Sequence, residues 1–477
     1  MKRIYLILIA LLAPLFCKAA ITLPYIVGDN MVLQQNTTVK VWGWADSNAT
    51  VKCTADWLKK PLKAVADSTG YWEFSIQTLA ADHTPHNIVF KDNTKSEVTV
   101  SNILFGEVWV AGGQSNMEMP IKGFWCQPVK GSDVAVAEAN RYPELRMITI
   151  RRDFDHQPQD RIRLETHWQV ASSETVADWS AVGYYFAKFL QEGTGCPVGI
   201  ISANWGGTKI EAWMPQDVAE RFVGSNYQFP DLTQTGPEHQ PYLIYNCYIP
   251  PIINYTIAGF IFYQGCSNLG QHGIYPQMMQ AMVSCWRDLW GLGELPFYYV
   301  EIAPYSYGNS SDTIAALLRE AQFKAQSLIP NSYMITTNDL YYDYEDGIHP
   351  VEKEKVGQRL AWCALARDYG HKGIIYRYPS YKSHEVLENG HVIVEFNDVA
   401  DFAYYLNGKV NGFELAGEDG VFHKAQFTHI WYEPKADLYS EEVPHPVYIR
   451  YCFRNALVGN LTSERLMPVV PFRTDNL

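Results

Sequence analysis

The chain has 477 residues and a formal net charge of −13 at pH 7. This length is enough for two or three domains with sizeable hydrophobic cores. The acidic balance argues against nucleic acid or an anionic membrane surface as a partner, because both repel a negatively charged protein.

The first twenty residues have the pattern of a secretory leader. Three residues, two of them cationic, precede an apolar run over 4–16, and small residues follow. The run is too short for a membrane-spanning helix, and no later stretch is apolar for long enough. We therefore expect a signal peptide over 1–20, cleaved after Ala19 or Ala20, and an exported protein, periplasmic or extracellular. Lipid attachment at Cys17 is the less favoured alternative, because a phenylalanine precedes it.

Two further properties follow from the sequence: the net charge without the leader and the kinds of site that the cysteines can form. Removing the three cations of the leader would take the net charge from −13 to about −16. Eight cysteines remain, without Cys-x-x-Cys pairs and without the density of a small disulfide scaffold. The sequence therefore predicts neither a zinc site nor a disulfide framework, and it leaves any single disulfide pairing open.

Residues 21–105 alternate polar and apolar residues in short runs separated by Asn, Asp and Gly turns. This pattern predicts antiparallel strands and a small β-sandwich-like domain. The runs that carry the prediction are Thr38–Trp42, Tyr71–Ile76, His86–Phe90 and Glu97–Val100.

Residues 106–370 have a different pattern, in which apolar strands alternate with helical periodicity. Such alternation predicts an α/β domain, with a parallel sheet flanked by helices. The predicted strands are Glu107–Val110, Val198–Ala203, Ile257–Tyr263, Pro296–Ile302 and Tyr333–Thr337, and the predicted helices are Ser180–Gln191, Thr313–Leu328 and Glu352–Tyr369.

Residues 371–477 return to short β-runs such as His391–Phe396 and Pro446–Tyr451. We expect this C-terminal β-rich segment to pack with the N-terminal domain. The two chain ends would then form one accessory β-rich region outside a catalytic domain over 106–370.

Ser115 is the first candidate for chemistry. It follows the strand that ends at Val110 and two glycines, Gly112 and Gly113. A hydroxyl there lies at the carboxyl end of a sheet strand, where ligands of open α/β sheets bind. The spacing differs from the Gly-x-Ser-x-Gly elbow, because Gly113 stands two residues before Ser115 and no glycine follows. Alone, the stretch indicates only a turn.

Polar clusters follow four of the segments that bear predicted strands. The ends of parallel strands lie on one edge of a sheet, so distant clusters can converge there. A serine nucleophile needs a base and a group that orients the base. Asp346 and His349, three residues apart, can supply both from one turn. The clusters are Gln114–Asn116, Asn204–Gly207, Gln264–Asn268 and Asp346–Pro350.

At these clusters the chain resembles the sialate O-acetylesterases of the SGNH/GDSL hydrolase superfamily. Related acetylxylan esterases share the central blocks. The resemblance extends from Leu23–Gln34 near the start to Pro471–Asp475 near the end, and so covers nearly the whole mature chain. The matching central blocks are Ala111–Glu118, Asn204–Thr208, Tyr263–Asn268 and Ile348–Pro350.

The resemblance implies an SGNH-type fold and roles for individual residues. Ser115 would be the nucleophile, His349 the base and Asp346 the residue that orients it. The oxyanion of the attacked ester would be met by the backbone N–H groups of Ser115 and Gly207 and by the Gln264 side chain, with Asn268 as a second side-chain candidate. No metal and no organic cofactor is implied.

The sequence departs from the family at Cys266, where the family usually has glutamate. A thiol cannot replace a carboxylate as an acceptor, which puts the geometry of the Gln264–Asn268 turn in doubt. Cys266 as an alternative nucleophile is disfavoured, since Ser115 holds the family's position. Asp339 is a rival carboxylate, either a structural turn residue or a partner of the site. We expect the neighbouring carboxylate to raise the pKa of His349 above its usual value near ~6.5.

The chain is interpreted as an exported serine esterase that removes O-acetyl groups from sialic acids through an acetyl-serine intermediate. Its partner would be an O-acetylated sugar, and its oligomeric state is left open. One rival is the same chemistry on acetylxylan or another polysaccharide. The other is an inactive carbohydrate-binding protein on an esterase scaffold.

Overall fold

The computed structural model of the chain describes residues 20–342, 345–403 and 410–477. The predicted leader, apart from Ala20, lies outside this part of the chain. Within the described residues, no helix has both the length and the apolar character needed to cross a bilayer.

The N-terminal segment consists of seven strands with alternating burial. In β5, for example, Trp72, Phe74 and Ile76 are buried while the residues between them are more exposed. β2 pairs with β5, and β3 pairs with β4 and β6, all antiparallel. The strands are β1 Val32–Gln34, β2 Thr38–Trp44, β3 Thr50–Ala55, β4 Leu62–Val65, β5 Tyr71–Gln77, β6 His86–Asp92 and β7 Glu97–Gly113.

Strand β7 connects this segment with the rest of the molecule. Its first half pairs antiparallel with β6, and its second half lies in the parallel sheet. The sequence predicted two separate strands here, Glu97–Val100 and Glu107–Val110. The boundary predicted between residues 105 and 106 falls inside one continuous strand of 17 residues. The division into domains at that point stays a prediction.

The central sheet has the order β13-β12-β11-β7-β10-β8-β9 and is parallel except for β9. The predicted α/β class, a parallel sheet flanked by helices with accessory β-rich ends, is confirmed. The strands are β8 Leu145–Thr149, β9 Gln169–Val170, β10 Val198–Asn204, β11 Gly259–Tyr263, β12 Phe297–Val300 and β13 Ser332–Ile335. The helices are α1 Ser115–Glu118, α2 Ser132–Glu138, α3 Ala181–Thr194, α4 Gln216–Val223, α5 Leu232–Thr235, α6 Tyr245–Tyr248, α7 Tyr275–Trp290, α8 Ile314–Ala325 and α9 Glu354–Arg367.

Several elements of this part escaped the sequence analysis, among them the long helix α7 and the strand β8. Helix α7 has Pro276 at its second position. A proline in a sequence is usually interpreted as a helix break, which is why the helix was not predicted. A proline is tolerated there because the first helical N–H groups have no partner within the helix. The helix buries Met278, Met279 and Met282 and ends at Gly291 in the left-handed conformation.

The C-terminal segment forms two four-stranded sheets around a hydrophobic core of its own. Its contacts to α8 of the central part include the guanidinium of Arg319, which is 1% exposed and donates to the carbonyls of Arg454 and Asn455. Arg473 also pairs with Glu320. The expected packing against the N-terminal domain stays a prediction. The strands are β14 Ser380–Val386, β15 Val392–Asn397, β16 Phe413–Ala416, β17 His423–Lys424, β18 Gln426–Ile430, β19 Lys435–Tyr439, β20 Tyr448–Tyr451 and β21 Phe472–Arg473.

Candidate active site

Three of the four predicted clusters meet because three neighbouring strands end at the same level. β7 lies between β10 and β11, and Gly113 is in register with Asn204 on one side and with Tyr263 on the other. The turns that follow these residues therefore lie side by side at the carboxyl edge of the sheet. This is the edge at which open α/β sheets bind ligands.

The turn before Ser115 requires glycine at position 113. Gly113 has φ 141°, and a Cβ there would lie 2.3 Å from the carbonyl oxygen of Tyr263. Gln114 then accepts a hydrogen bond from the Gly265 N–H at 2.6 Å, which joins two of the turns. Ser115 begins the short helix α1, so its backbone N–H has no carbonyl partner within the helix.

The fourth cluster reaches Ser115 from the loop after β13. The Ser115 hydroxyl donates to Nε2 of His349 over 2.7 Å. Asn116 donates to the carbonyl of Ile348 at 3.0 Å and accepts from the buried ammonium of Lys353 at 2.7 Å. These bonds hold the histidine loop against the helix that carries the serine.

The other ring nitrogen of His349 is paired with a residue that the sequence analysis missed. Nδ1 lies 2.5 Å from Oε1 of Gln127. The side chain of Asp346 is exposed, and in the described part of the chain it has no hydrogen bond to His349. The structure thus brings Ser115 and His349 together but does not bring Asp346 to the imidazole, so its orienting role stays a prediction. No sequence motif marks Gln127.

The turn at Gly206 and Gly207 lies against the serine. A Cβ on Gly206 would lie 3.2 Å from Cβ of Ser115. Gly207 has φ 80°, a conformation that side chains other than glycine rarely adopt. Glu118 accepts from the Gly206 N–H at 2.7 Å and is itself held by Arg152 in a two-pronged ion pair. Among the described residues, neither the Ser115 nor the Gly207 backbone N–H has a hydrogen-bond partner, so both are free to donate to an oxyanion.

The two amide side chains predicted for the oxyanion are engaged elsewhere. Gln264 donates to the carbonyl of Thr208 and to Asn268, while Asn268 donates to Glu211 and Gln271. Both side chains are almost completely buried. The hydrogen bond from Gln264 to Thr208 supports the turn at Gly207. Direct contact of either amide with an oxyanion stays a prediction.

The electrostatic environment of His349 is opposite to the one expected. Burial, and then the ammonium of Lys353, lower the pKa of His349 to about 4. The expectation that a carboxylate raises this pKa is wrong, because the imidazole meets an amide and lies near a cation. The ring is neutral at pH 7 and can accept the Ser115 proton.

This pKa predicts an unusually low acid limit for activity. A general base works only when deprotonated, so kcat/KM should stay on its plateau at pH 6 and fall as the pH drops through about 4. Acetate release from p-nitrophenyl acetate between pH 3 and pH 8 measures the limit, with circular dichroism at each pH to confirm folding. A midpoint at or above ~6.5, the ordinary histidine value, would contradict the prediction.

Cys266 and Asp339 have structural surroundings. The Cys266 sulfur accepts a hydrogen bond from the hydroxyl of Tyr307 at 3.1 Å, and burial raises the pKa of this thiol. The thiol form is a poor nucleophile, which agrees with the choice of Ser115. Asp339 accepts both arms of the buried Arg359 guanidinium at 2.8 and 2.6 Å. It therefore holds helix α9 rather than the histidine.

The comparison with protein families decides what kind of site this is. The family model described as "Carbohydrate esterase, sialic acid-specific acetylesterase" matches residues 106–366, more than half of the chain. The chain belongs to this carbohydrate esterase family. The matched range contains the serine, the Gly207 turn and His349, which makes these residues the candidate active site of an esterase.

Relatives of this esterase include curated and structurally solved proteins. Human sialate O-acetylesterase is 26% identical over 390 residues, which cover 76% of this chain and 73% of the relative. The mouse protein of that name is 27% identical over 416 residues, covering 75% and 76%. The crystal structure of a carbohydrate acetylesterase from Xanthomonas citri is similar with a TM-score of 0.84 and 32% identity, covering 96% of this chain and 100% of that one. The similarity to the Xanthomonas protein thus includes both β-rich ends.

Proposed function

We propose that this esterase removes O-acetyl groups from sialic acids through an acetyl-serine intermediate. The contact between the Ser115 hydroxyl and Nε2 of a neutral His349 is the observation that carries the mechanism. The relatives named sialate O-acetylesterase support the choice of sugar.

In the first half of the reaction, Ser115 attacks the acetyl carbonyl while His349 takes its proton. The carbonyl oxygen becomes an anion, which the free N–H groups of Ser115 and Gly207 can stabilise. His349 then gives the proton to the departing sugar oxygen, which leaves as the alcohol, and the acetyl group stays on Ser115. In the second half, water repeats these steps, releases acetate and restores the serine.

A cavity lined in part by Glu118 and Asn204, which flank the serine and Gly207 turns, supports the proposal of an anionic sugar. It has a volume of about 340 Å³ and is lined by Glu118, Asp178, Arg151 and Arg152, among other residues. Glu118 offsets the charge of Arg152, and Lys122 offsets that of Asp178. Arg151 has no ion pair in the described part of the chain, so its guanidinium can pair with an anionic ligand. A guanidinium binds a carboxylate through paired N–H donors, and sialic acids carry a carboxylate.

Removing this charge should weaken binding of the sialic acid. We expect Arg151→Gln to raise KM for O-acetylated sialic acid roughly 10-fold, since a hydrogen bond to a charged group contributes about 1.5 kcal/mol. Hydrolysis of p-nitrophenyl acetate should be unchanged. Steady-state acetate release from both substrates measures this, with Arg141→Gln, an exposed arginine outside the cavity lining, as the matched control.

Two further substrates test the choice of sugar. The carboxyl methyl ester of O-acetylated sialic acid should bind the wild type as weakly as the free acid binds Arg151→Gln. Faster acetate release from acetylated xylan than from acetylated sialic acid would refute the sialic acid proposal while leaving the esterase intact. Absence of p-nitrophenyl acetate hydrolysis would instead indicate a binding protein on an esterase scaffold.

Export is also part of the proposal. It is supported by the cationic start and apolar run of residues 1–20. Mass spectrometry of the protein recovered from the native cells should give an N-terminus at Ala20 or Ile21, whereas a retained Met1 would refute export by this leader.

A further inference from the structure

The hairpin Phe124–Gln127 is fixed against the proposed base. The backbone N–H of Phe124 donates to the carbonyl of Gln127, and the Gln127 N–H donates back, each at 3.0 Å. Gly123 has φ 78°, and a Cβ there would lie 2.2 Å from the Gln127 carbonyl oxygen. These contacts fix the backbone of Gln127 relative to Gly123 and Phe124.

Both ends of this hairpin contact the imidazole of His349. The Phe124 ring meets it edge to face, with centroids 5.3 Å apart and an angle of 68° between the planes. Oε1 of Gln127 lies 2.5 Å from Nδ1. The hairpin thus supplies a wall for the ring and a hydrogen-bond acceptor for the nitrogen that faces away from Ser115.

From this juxtaposition we infer that Gln127 is the positioning residue of the base: its amide oxygen accepts the Nδ1–H of His349 and keeps the lone pair of Nε2 on Ser115. The inference rests on the roles proposed above for Ser115 and His349. A base needs a third group to fix its tautomer and orientation, and an amide oxygen can do so without a charge. Gln127 would then take the place that the sequence assigned to Asp346.

A neutral acceptor on Nδ1 affects the pKa of His349 differently from a carboxylate. A carboxylate on Nδ1 favours the imidazolium, whereas an amide stabilises it much less. The other groups around the ring do not supply the missing charge. Ser115 contacts it from the sheet edge and Phe124 from the hairpin, and the charged group that lowers its pKa is Lys353. Burial lowers the pKa of Lys353 to about 7, so this side chain is a cation over the pH range of the acid limit.

Three variants at two positions separate this inference from its rivals. Gln127→Leu removes the acceptor and should lower kcat for p-nitrophenyl acetate about 100-fold or more, with KM nearly unchanged, because the tautomer is no longer set. Gln127→Glu restores an acceptor, should recover most of kcat, and should move the acid limit of kcat/KM up by at least about one pH unit. Asp346→Asn should cost far less than Gln127→Leu.

Three controls complete the panel. Gln77→Leu makes the same change at an exposed glutamine of β5 and should leave all parameters at wild-type values. Thermal unfolding of each variant checks that the loss of kcat is not a loss of fold. Ser115→Ala sets the inactive baseline.

The inference is overturned if Gln127→Leu keeps more than half of the wild-type kcat, if Asp346→Asn costs more than Gln127→Leu, or if Gln127→Glu leaves the acid limit in place. An active Ser115→Ala would instead overturn the proposed function itself. An inactive Ser115→Ala with a fully active Gln127→Leu would refute the role of Gln127 alone.

Discussion

Replacing Ser115 by alanine should lower esterase turnover at least ~1,000-fold while leaving the fold intact. The hydroxyl is the only part of this side chain that the proposed reaction uses, and loss of a nucleophile typically costs several orders of magnitude in kcat. Alanine lacks only the hydroxyl that bonds to His349, so it should fit in the same space without strain. Acetate release from p-nitrophenyl acetate and from acetylated sialic acid measures the loss.

Two controls make this result interpretable. The thermal unfolding curve of Ser115→Ala should match that of the wild type. A serine-directed phosphonate should add one mass increment to the wild type and none to the variant. A folded Ser115→Ala protein that retained a tenth or more of wild-type turnover would rule out Ser115 as the nucleophile.

Replacing His349 by alanine should cost about as much as Ser115→Ala, because the serine is a weak nucleophile without its base. The double variant Ser115→Ala/His349→Ala should be no slower than either single variant, since residues that act as a unit do not have additive effects. The same kinetic assay applies to all three proteins.

His167→Ala, at an exposed histidine paired with Glu165, is the matched control and should keep wild-type turnover. If the double variant were slower than both single variants by the product of their separate effects, the two side chains would act independently. The proposed proton transfer from Ser115 to His349 would then be wrong.

The sequence predicted those parts of the site that the backbone of the sheet determines. Parallel strands place their ends on one edge, so Ser115 and Gly207 could be expected to meet once the strands were recognised. Gln127 and Lys353 could not be found in this way. Gln127 meets His349 across 222 positions and Lys353 meets Asn116 across 237, through loops that carry no periodic pattern.

The fold was predictable to a similar extent and for a similar reason. Helices α3, α8 and α9 have apolar stripes that fit one face, and they form close to where periodicity placed them. The spacing of Asp346 and His349 was a weaker guide, because a three-residue separation in a loop does not fix where either side chain points. The direction in which the pKa of His349 is shifted depends on burial, which the sequence of a loop does not indicate.

Strand β7 has a consequence for how this protein can be divided or moved. Its 17 residues carry the chain from the antiparallel strands near the N-terminus to the residue two positions before the serine, with one irregularity between Val100 and Ile103, where Asn102 has φ 57°. From Leu104 onward the strand is hydrogen-bonded to its neighbours β1, β10 and β11, and such a paired strand cannot change its backbone angles as a hinge does. A truncation at residue 105 would therefore cut inside β7. It would remove β6 and β1, which pair with the strand up to Gly106, and leave the part before the nucleophile between β10 and β11.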